Sequence, residues 1–168
     1  MSELKNKIAV IYGAGGGIGS AVARAFAREG AKLFLTGHRL APVQAVAKDI
    51  VSAGGVAQAD EVDALDEQAI DRHLQSVVTR AGRIDISFNT VGNAPARYLG
   101  ASLVDMDVKK FLMPITSYIT SYFLTARLAA RRMLPNKSGV IMTLTAPPAR
   151  IGTPNGGYGN KSEVILQA

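Results

Sequence analysis

The stretch GGYGNKSEVILQA, residues 156–168, places Tyr158 three residues before Lys161. A phenol ionises at about pH 10 and is a poor base at neutrality unless a neighbouring cation stabilises the phenolate. On a helix, residues three apart share nearly one face, so the lysine ammonium can approach the phenolic oxygen. Two solvated residues on a terminal helical turn would show the same spacing, and both readings stay open.

A second group is Gly13-Ala14-Gly15-Gly16-Gly17-Ile18-Gly19. Glycines between a strand and a helix let the backbone approach a pyrophosphate, and the helix N-terminus adds N–H donors and the positive end of its dipole. Ile18 stands where G-x-G-x-x-G has its last glycine, so the spelling that fits is G-x-x-x-G-x-G on Gly13, Gly17 and Gly19. The placement after an apolar run and before an amphipathic one favours nucleotide binding over a plain tight turn. A third group follows the second apolar run as Thr36-Gly37-His38-Arg39. An acid there would hold a ribose 2′-hydroxyl, whereas cations accommodate a 2′-phosphate. With His38 and Arg39 in place of an acid, NADP is expected, and NAD is the less favoured dinucleotide.

Elements must hold these groups together. Residues 7–12, KIAVIY, form an apolar run continuous enough for a strand buried on both faces. Further strands are expected at residues 32–36, weakly at 56–59, and at 83–90 and 139–145. Helical spacing is read after the glycine loop, over about 41–53, over 66–80 and over a long stretch of 107–133 with Pro114 inside it. Strands alternating with helices predict an α/β, Rossmann-like doubly wound parallel sheet. Tyr158 would open the last helix.

Bulk properties narrow the function. The 168 residues carry 48% apolar side chains and a formal charge of +6, as expected for one folded domain rather than a disordered chain. The basic residues are scattered. Arg127, Arg131, Arg132 and Lys137 cluster near the end of the long helix, where cations suit the dipole, and no aromatic residues interleave them to stack bases. No nucleic-acid partner is expected. There are no cysteines, and His38 and His73 lack ligand-like spacing, so neither disulfides nor a metal centre are expected. The N-terminus does not read as a signal peptide and no apolar run reaches membrane-spanning length, so a cytoplasmic location away from membranes is the expectation.

Taken together, the motifs resemble the short-chain dehydrogenase/reductases, NAD(P)-dependent oxidoreductases, from residue 7 to about residue 158. Gly13, Gly17 and Gly19 match the glycine motif. Asp63, followed by Ala64, stands where the family keeps an acid near the adenine. Asn89-Thr90-Val91-Gly92 resembles its Asn-Asn-Ala-Gly, with the first and last members kept. The resemblance implies five strands in the order 3-2-1-4-5 and hydride transfer between NADP(H) and an alcohol or carbonyl. It also implies a homo-oligomer through the fourth and fifth helices, with Phe111, Leu112, Ile115, Tyr118, Ile119, Tyr122 and Phe123 as the apolar stripe; the alternative is that the same stripe merely covers the sheet.

The family's tyrosine, which passes the substrate proton, corresponds to Tyr158. The lysine expected four residues later is Ser162 here, with Lys161 beside it. The position of the substrate serine holds Ala146, next to Thr145, and the position of the relay asparagine holds Tyr118. Tyr158, Lys161 and Thr145 are therefore the catalytic candidates of a divergent set. Family members normally continue beyond the fifth helix, so the resemblance implies a single dinucleotide-binding domain over residues 1–168, truncated before the usual last strands and substrate-closing region. A catalytically impaired dinucleotide-binding protein, a partner subunit of the same fold, or a truncated product is the alternative reading.

Overall fold

The structure is a computed structural model that describes residues 2–92 and 107–144. Its elements run β1 (Ile8–Tyr12), α1 (Gly17–Arg28), β2 (Lys32–Gly37), α2 (Leu40–Ser52), β3 (Val56–Glu61), α3 (Glu67–Ala81), β4 (Ile86–Asn89), α4 (Val108–Met133) and β5 (Val140–Thr143). All four strand pairings are parallel and the order is β3-β2-β1-β4-β5, the expected doubly wound sheet.

The pleat explains how one short strand serves two helical layers. Side chains alternate across β1, so Val10 and Tyr12 join Phe34, Ile70, Leu74, Leu124 and Leu128 on the face covered by α3 and α4. Ala9 and Ile11 join Leu33, Leu35, Val43, Val46 and Ile50 on the face covered by α1 and α2. Every β1 residue is buried, which is why its sequence is an unbroken apolar run. Local signals place the helices as well. The Asp66 carboxylate accepts from the N–H groups of Gln68 and Ala69 and caps α3.

Some elements differ from expectation in extent. β4 starts at Ile86 rather than Arg83, because the Asp85 carboxylate accepts the Ile8 N–H at 2.7 Å and the Arg83 guanidinium at 2.9 Å. Side-chain bonds thus occupy the place where strand pairing would begin. β3 runs on to Glu61 since its whole length pairs with β2. In α4, Pro114 is buried within a continuous helix. The apolar stripe of that helix divides: Tyr122 packs inward and its hydroxyl donates to the Leu144 carbonyl, while Leu112 and Phe123 face solvent. Of the basic cluster, Arg127 pairs with Glu67 and Arg132 with Asp71, which ties α4 to α3.

Two buried polar groups on the α3 face invite measurement. The Tyr12 hydroxyl is fully buried and has no hydrogen-bond partner among the described residues. An unpaired buried hydroxyl costs about 1–3 kcal/mol, so Tyr12→Phe should raise unfolding stability in urea by about 1 kcal/mol rather than lower it. His73 is buried beside Asp60, 3.5 Å from Nδ1. Burial pushes its pKa down to about 4; Asp60 opposes that shift and Arg80 adds to it. The folded pKa lies below the unfolded value, so this contribution to stability is whole above about pH 6.5 and fades as the pH falls toward 4. Between pH 7 and 5, His73→Gln should lose about 2 kcal/mol less stability than the parent chain.

Candidate functional site

The site forms where β1 and β4 end side by side. After Tyr12 the backbone enters the left-handed region at Gly13, φ 75°, and turns across the sheet edge. A Cβ at Gly13 would lie 3.0 Å from the Thr90 carbonyl and the Val91 nitrogen. The turn closes with the Gly16 N–H donating to the Gly13 carbonyl at 3.0 Å, and α1 begins at once. Gly19 then packs against the Gly13 carbonyl, with the Thr90 hydroxyl oxygen 2.6 Å from where its Cβ would stand. Thr90 is itself fixed, because its hydroxyl donates to the Tyr12 carbonyl at 2.7 Å.

Gly17 differs from its neighbours. Among the described residues, apart from its chain neighbours and its own helix backbone, no atom lies within 4 Å of its Cβ position. Packing therefore gives no reason for a glycine there, whereas a ligand brought against the backbone does. The N-terminus of α1 has Gly16 as its cap, with no capping side chain and no acid in the first turn. Its first N–H groups and its dipole are thus left for an anion.

A cleft of about 510 Å³ opens over this turn. Gly13, Gly15, His38, Arg39, Asp63, Ala64 and Gly92 line it, so seven of the sequence candidates converge from the ends of four parallel strands. Gly17 and Ile18 stand exposed at the start of α1, while Gly19 and Asn89 are buried. Asn89 spends its amide on the scaffold: Nδ2 donates to the Thr125 hydroxyl at 3.0 Å and Oδ1 accepts the Val91 N–H at 2.8 Å. It positions the loop rather than facing the cleft. The Asp63 carboxylate accepts the Leu65 N–H at 2.9 Å in a tight turn, which holds Ala64 and Leu65 against the cleft wall. Thr145, Tyr158 and Lys161 lie outside the described residues, as do Ala146 and Ser162.

Sequence reasoning missed several lining residues. Thr90 sits inside the Asn89–Gly92 motif, and its side-chain role emerges only from contact with Gly19 and Tyr12. Pro42 packs so near Gly15 that a Cβ there would come within 2.8 Å, which narrows the cleft from the α2 side. Ser117 lines the opposite wall from α4. Beside it, the Tyr118 hydroxyl stands over Gly92, 3.4 Å from where a Cβ would be. The Tyr118 and Tyr122 rings are tilted at 55° with centroids 5.9 Å apart. Neither Pro42 nor Ser117 carries a local signal for such a role.

The family model described as enoyl-(acyl carrier protein) reductase matches residues 13–162. The uncharacterized oxidoreductase UxuB of Bacillus subtilis is 32% identical over 158 residues, covering 88% of this chain and 57% of that protein. The chain belongs to the short-chain dehydrogenase/reductase family. Among solved structures, the crystal structure of a short-chain type dehydrogenase/reductase from Mycobacterium marinum superposes with a TM-score of 0.88 at 28% identity, covering 98% of this chain and 66% of that one. A metagenomic short-chain oxidoreductase in complex with NADP gives 0.83 at 26% identity, with 98% and 76% covered. A 7α-hydroxysteroid dehydrogenase complexed with NADH and 7-oxo glycochenodeoxycholic acid gives 0.85 at 29% identity, with 98% and 62% covered. The chain spans a little over half the length of the curated relatives it matches. As a member of this family it carries an oxidoreductase fold, and no helix among the described residues is long and apolar enough to cross a membrane.

The two glycine environments separate packing from ligand approach. Gly19→Ala must displace backbone and should cost roughly 2–4 kcal/mol in urea unfolding, comparable to other core overpacking and strain. Gly17→Ala adds a methyl to open space at a helix start and should leave stability unchanged or up to about 1 kcal/mol higher.

Proposed function

We propose that the chain is the dinucleotide-binding part of an NADP(H)-dependent oxidoreductase that interconverts an alcohol and a carbonyl compound. The observation that carries this reading is Gly17: a glycine with open space at its Cβ position among the described residues, at an uncapped helix N-terminus, next in the chain to Gly16, which lines the cleft together with Gly13, Gly15, His38, Arg39 and Asp63. These residues fit a dinucleotide. The turn from Gly13 to Gly19 and the first N–H groups of α1 would take the pyrophosphate. Asp63, Ala64 and Leu65 would flank the adenine. His38 and Arg39 would accompany a 2′-phosphate, the reason for preferring NADP over NAD. When bound, the nicotinamide supplies or accepts a hydride.

The chain's own residues handle the proton and the substrate oxygen. Tyr158 is the proposed donor and acceptor of the substrate proton. Lys161 would lower its pKa as a neighbouring cation, and Thr145 would hydrogen-bond the substrate oxygen in place of the serine absent at Ala146. Gly92 and Asn89 form and support the loop on the nicotinamide side. A homo-oligomer is proposed through α4 and the helix that Tyr158 opens, with Val108, Leu112, Met113 and Phe123 as exposed apolar residues of α4. The proposed location is cytoplasmic, the proposed substrate a small molecule, and residues 1–168 are taken as one domain.

The test is a titration followed by a turnover assay. NADPH and NADH fluorescence should report saturable binding, tighter for NADPH, and Gly17→Ala should weaken both while leaving the chain folded. Against a panel of carbonyls, Tyr158→Phe should lower NADPH oxidation by about 100-fold or more, the range of general acid–base catalysis. Absence of binding to either dinucleotide would overturn the reading, and full turnover in Tyr158→Phe would remove Tyr158 from it.

A further inference from the structure

Glu61 ends β3 in register with Gly37, the last residue of β2. Alternation along the strand puts Ala57, Ala59 and Glu61 on the α2 side, where Ala57 and Ala59 join the α1–α2 core, and Gln58 and Asp60 on the α3 side, where both reach Arg80. The Glu61 carboxylate therefore faces the start of α2, and its Oε2 accepts the Leu40 N–H at 3.2 Å. That helix has no anion of its own at this end. Its cap, Arg39, makes no side-chain capping bond, its first turn has no acid, and Pro42 removes one of the four opening N–H groups. The carboxylate thus comes from another strand, 21 residues away.

The same corner is where the cleft presents His38 and Arg39. A phosphate on the ribose 2′-oxygen would meet His38 and the Arg39 guanidinium from one side and the Leu40 N–H with its helix dipole from the other. Glu61 already occupies that N–H and brings a negative charge beside the incoming one. Like charges brought together in this way cost free energy, and an acid near the ribose suits a free 2′-hydroxyl. We infer that Glu61 is a specificity-determining residue: it stands in for the 2′-phosphate at the start of α2 and holds down the preference of this cleft for NADPH over NADH.

This inference rests on the cleft being a dinucleotide site, and the experiment separates the two. Isothermal titration with NADPH and NADH is run on the full chain and on Glu61→Gln, which keeps an acceptor for Leu40 while removing the charge. The parent should prefer NADPH by less than about tenfold; the variant should bind NADPH about tenfold more tightly, a change of about 1.4 kcal/mol, with NADH altered less than threefold. A ratio of the two affinities equal in both chains overturns the role of Glu61 while leaving the cleft intact. Binding of neither dinucleotide by either chain overturns the cleft and the inference with it. On the parent chain alone, the Leu40 amide resonance should shift with saturating NADPH and stay in place with NADH, because only the 2′-phosphate displaces Glu61. Equal shifts with both ligands contradict the proposal even if the variant does not fold.

Discussion

The close contact between Gly19, the Gly13 carbonyl and the Thr90 hydroxyl governs how the rest of the molecule is arranged. A helix can follow a buried strand across only four intervening residues if the turn takes a positive φ and the helix start presses onto the turn itself. Gly13 meets the first requirement and Gly19 the second. Thr90 locks the same turn to the neighbouring strand through the Tyr12 carbonyl. The ends of β1 and β4 are thereby held together while α1 points its N-terminus over them. A cleft at this switch in strand order, with the helix dipole facing into it, follows from that geometry.

The polar interior behaves as a second layer of the same construction. Asn89, Thr125 and Ser121 form a buried chain in which the Asn89 amide donates to Thr125 and Thr125 donates to the Ser121 carbonyl at 2.7 Å. It joins β4 to α4 and so sets where Ser117 and Tyr118 stand relative to the cleft. Asp85 plays a similar part at the other end of β4, holding the Ile8 N–H and Arg83. These polar groups are satisfied within the scaffold, which leaves the cleft wall to the backbone of the glycine turn and to the side chains at the strand ends. Elsewhere the Tyr12 and Thr36 hydroxyls, His73 Nε2 and the Nε atoms of Arg127 and Arg132 are buried without hydrogen-bond partners among the described residues.

Local features of the sequence carried most of the architecture. The unbroken apolar run of β1, the glycines after it, the acidic opening of α3 and the alternation of strands and helices each act over a few residues, so they can be read from the chain. Strand order and the places of Asp63 and Gly92 came from the family resemblance that these motifs carry. Long-range contacts were not legible. Glu61 meets Leu40 across 21 residues, and Asn89 meets Thr125 across 36. The stripe on α4 looked uniform because helical spacing alone does not say which residues face the sheet; packing buried Tyr122 and exposed Phe123. Thr145, Tyr158 and Lys161 lie outside the described residues, and the roles proposed for them rest on resemblance to the family.

Hydrogen–deuterium exchange of the whole chain, with and without saturating NADPH, tests the central claim most directly. The account predicts slowed exchange in peptides containing residues 13–20, 37–43, 62–65 and 90–92, the turn and strand ends that border the cleft. Protection absent from these peptides, or found instead along the α3–α4 face, would contradict it.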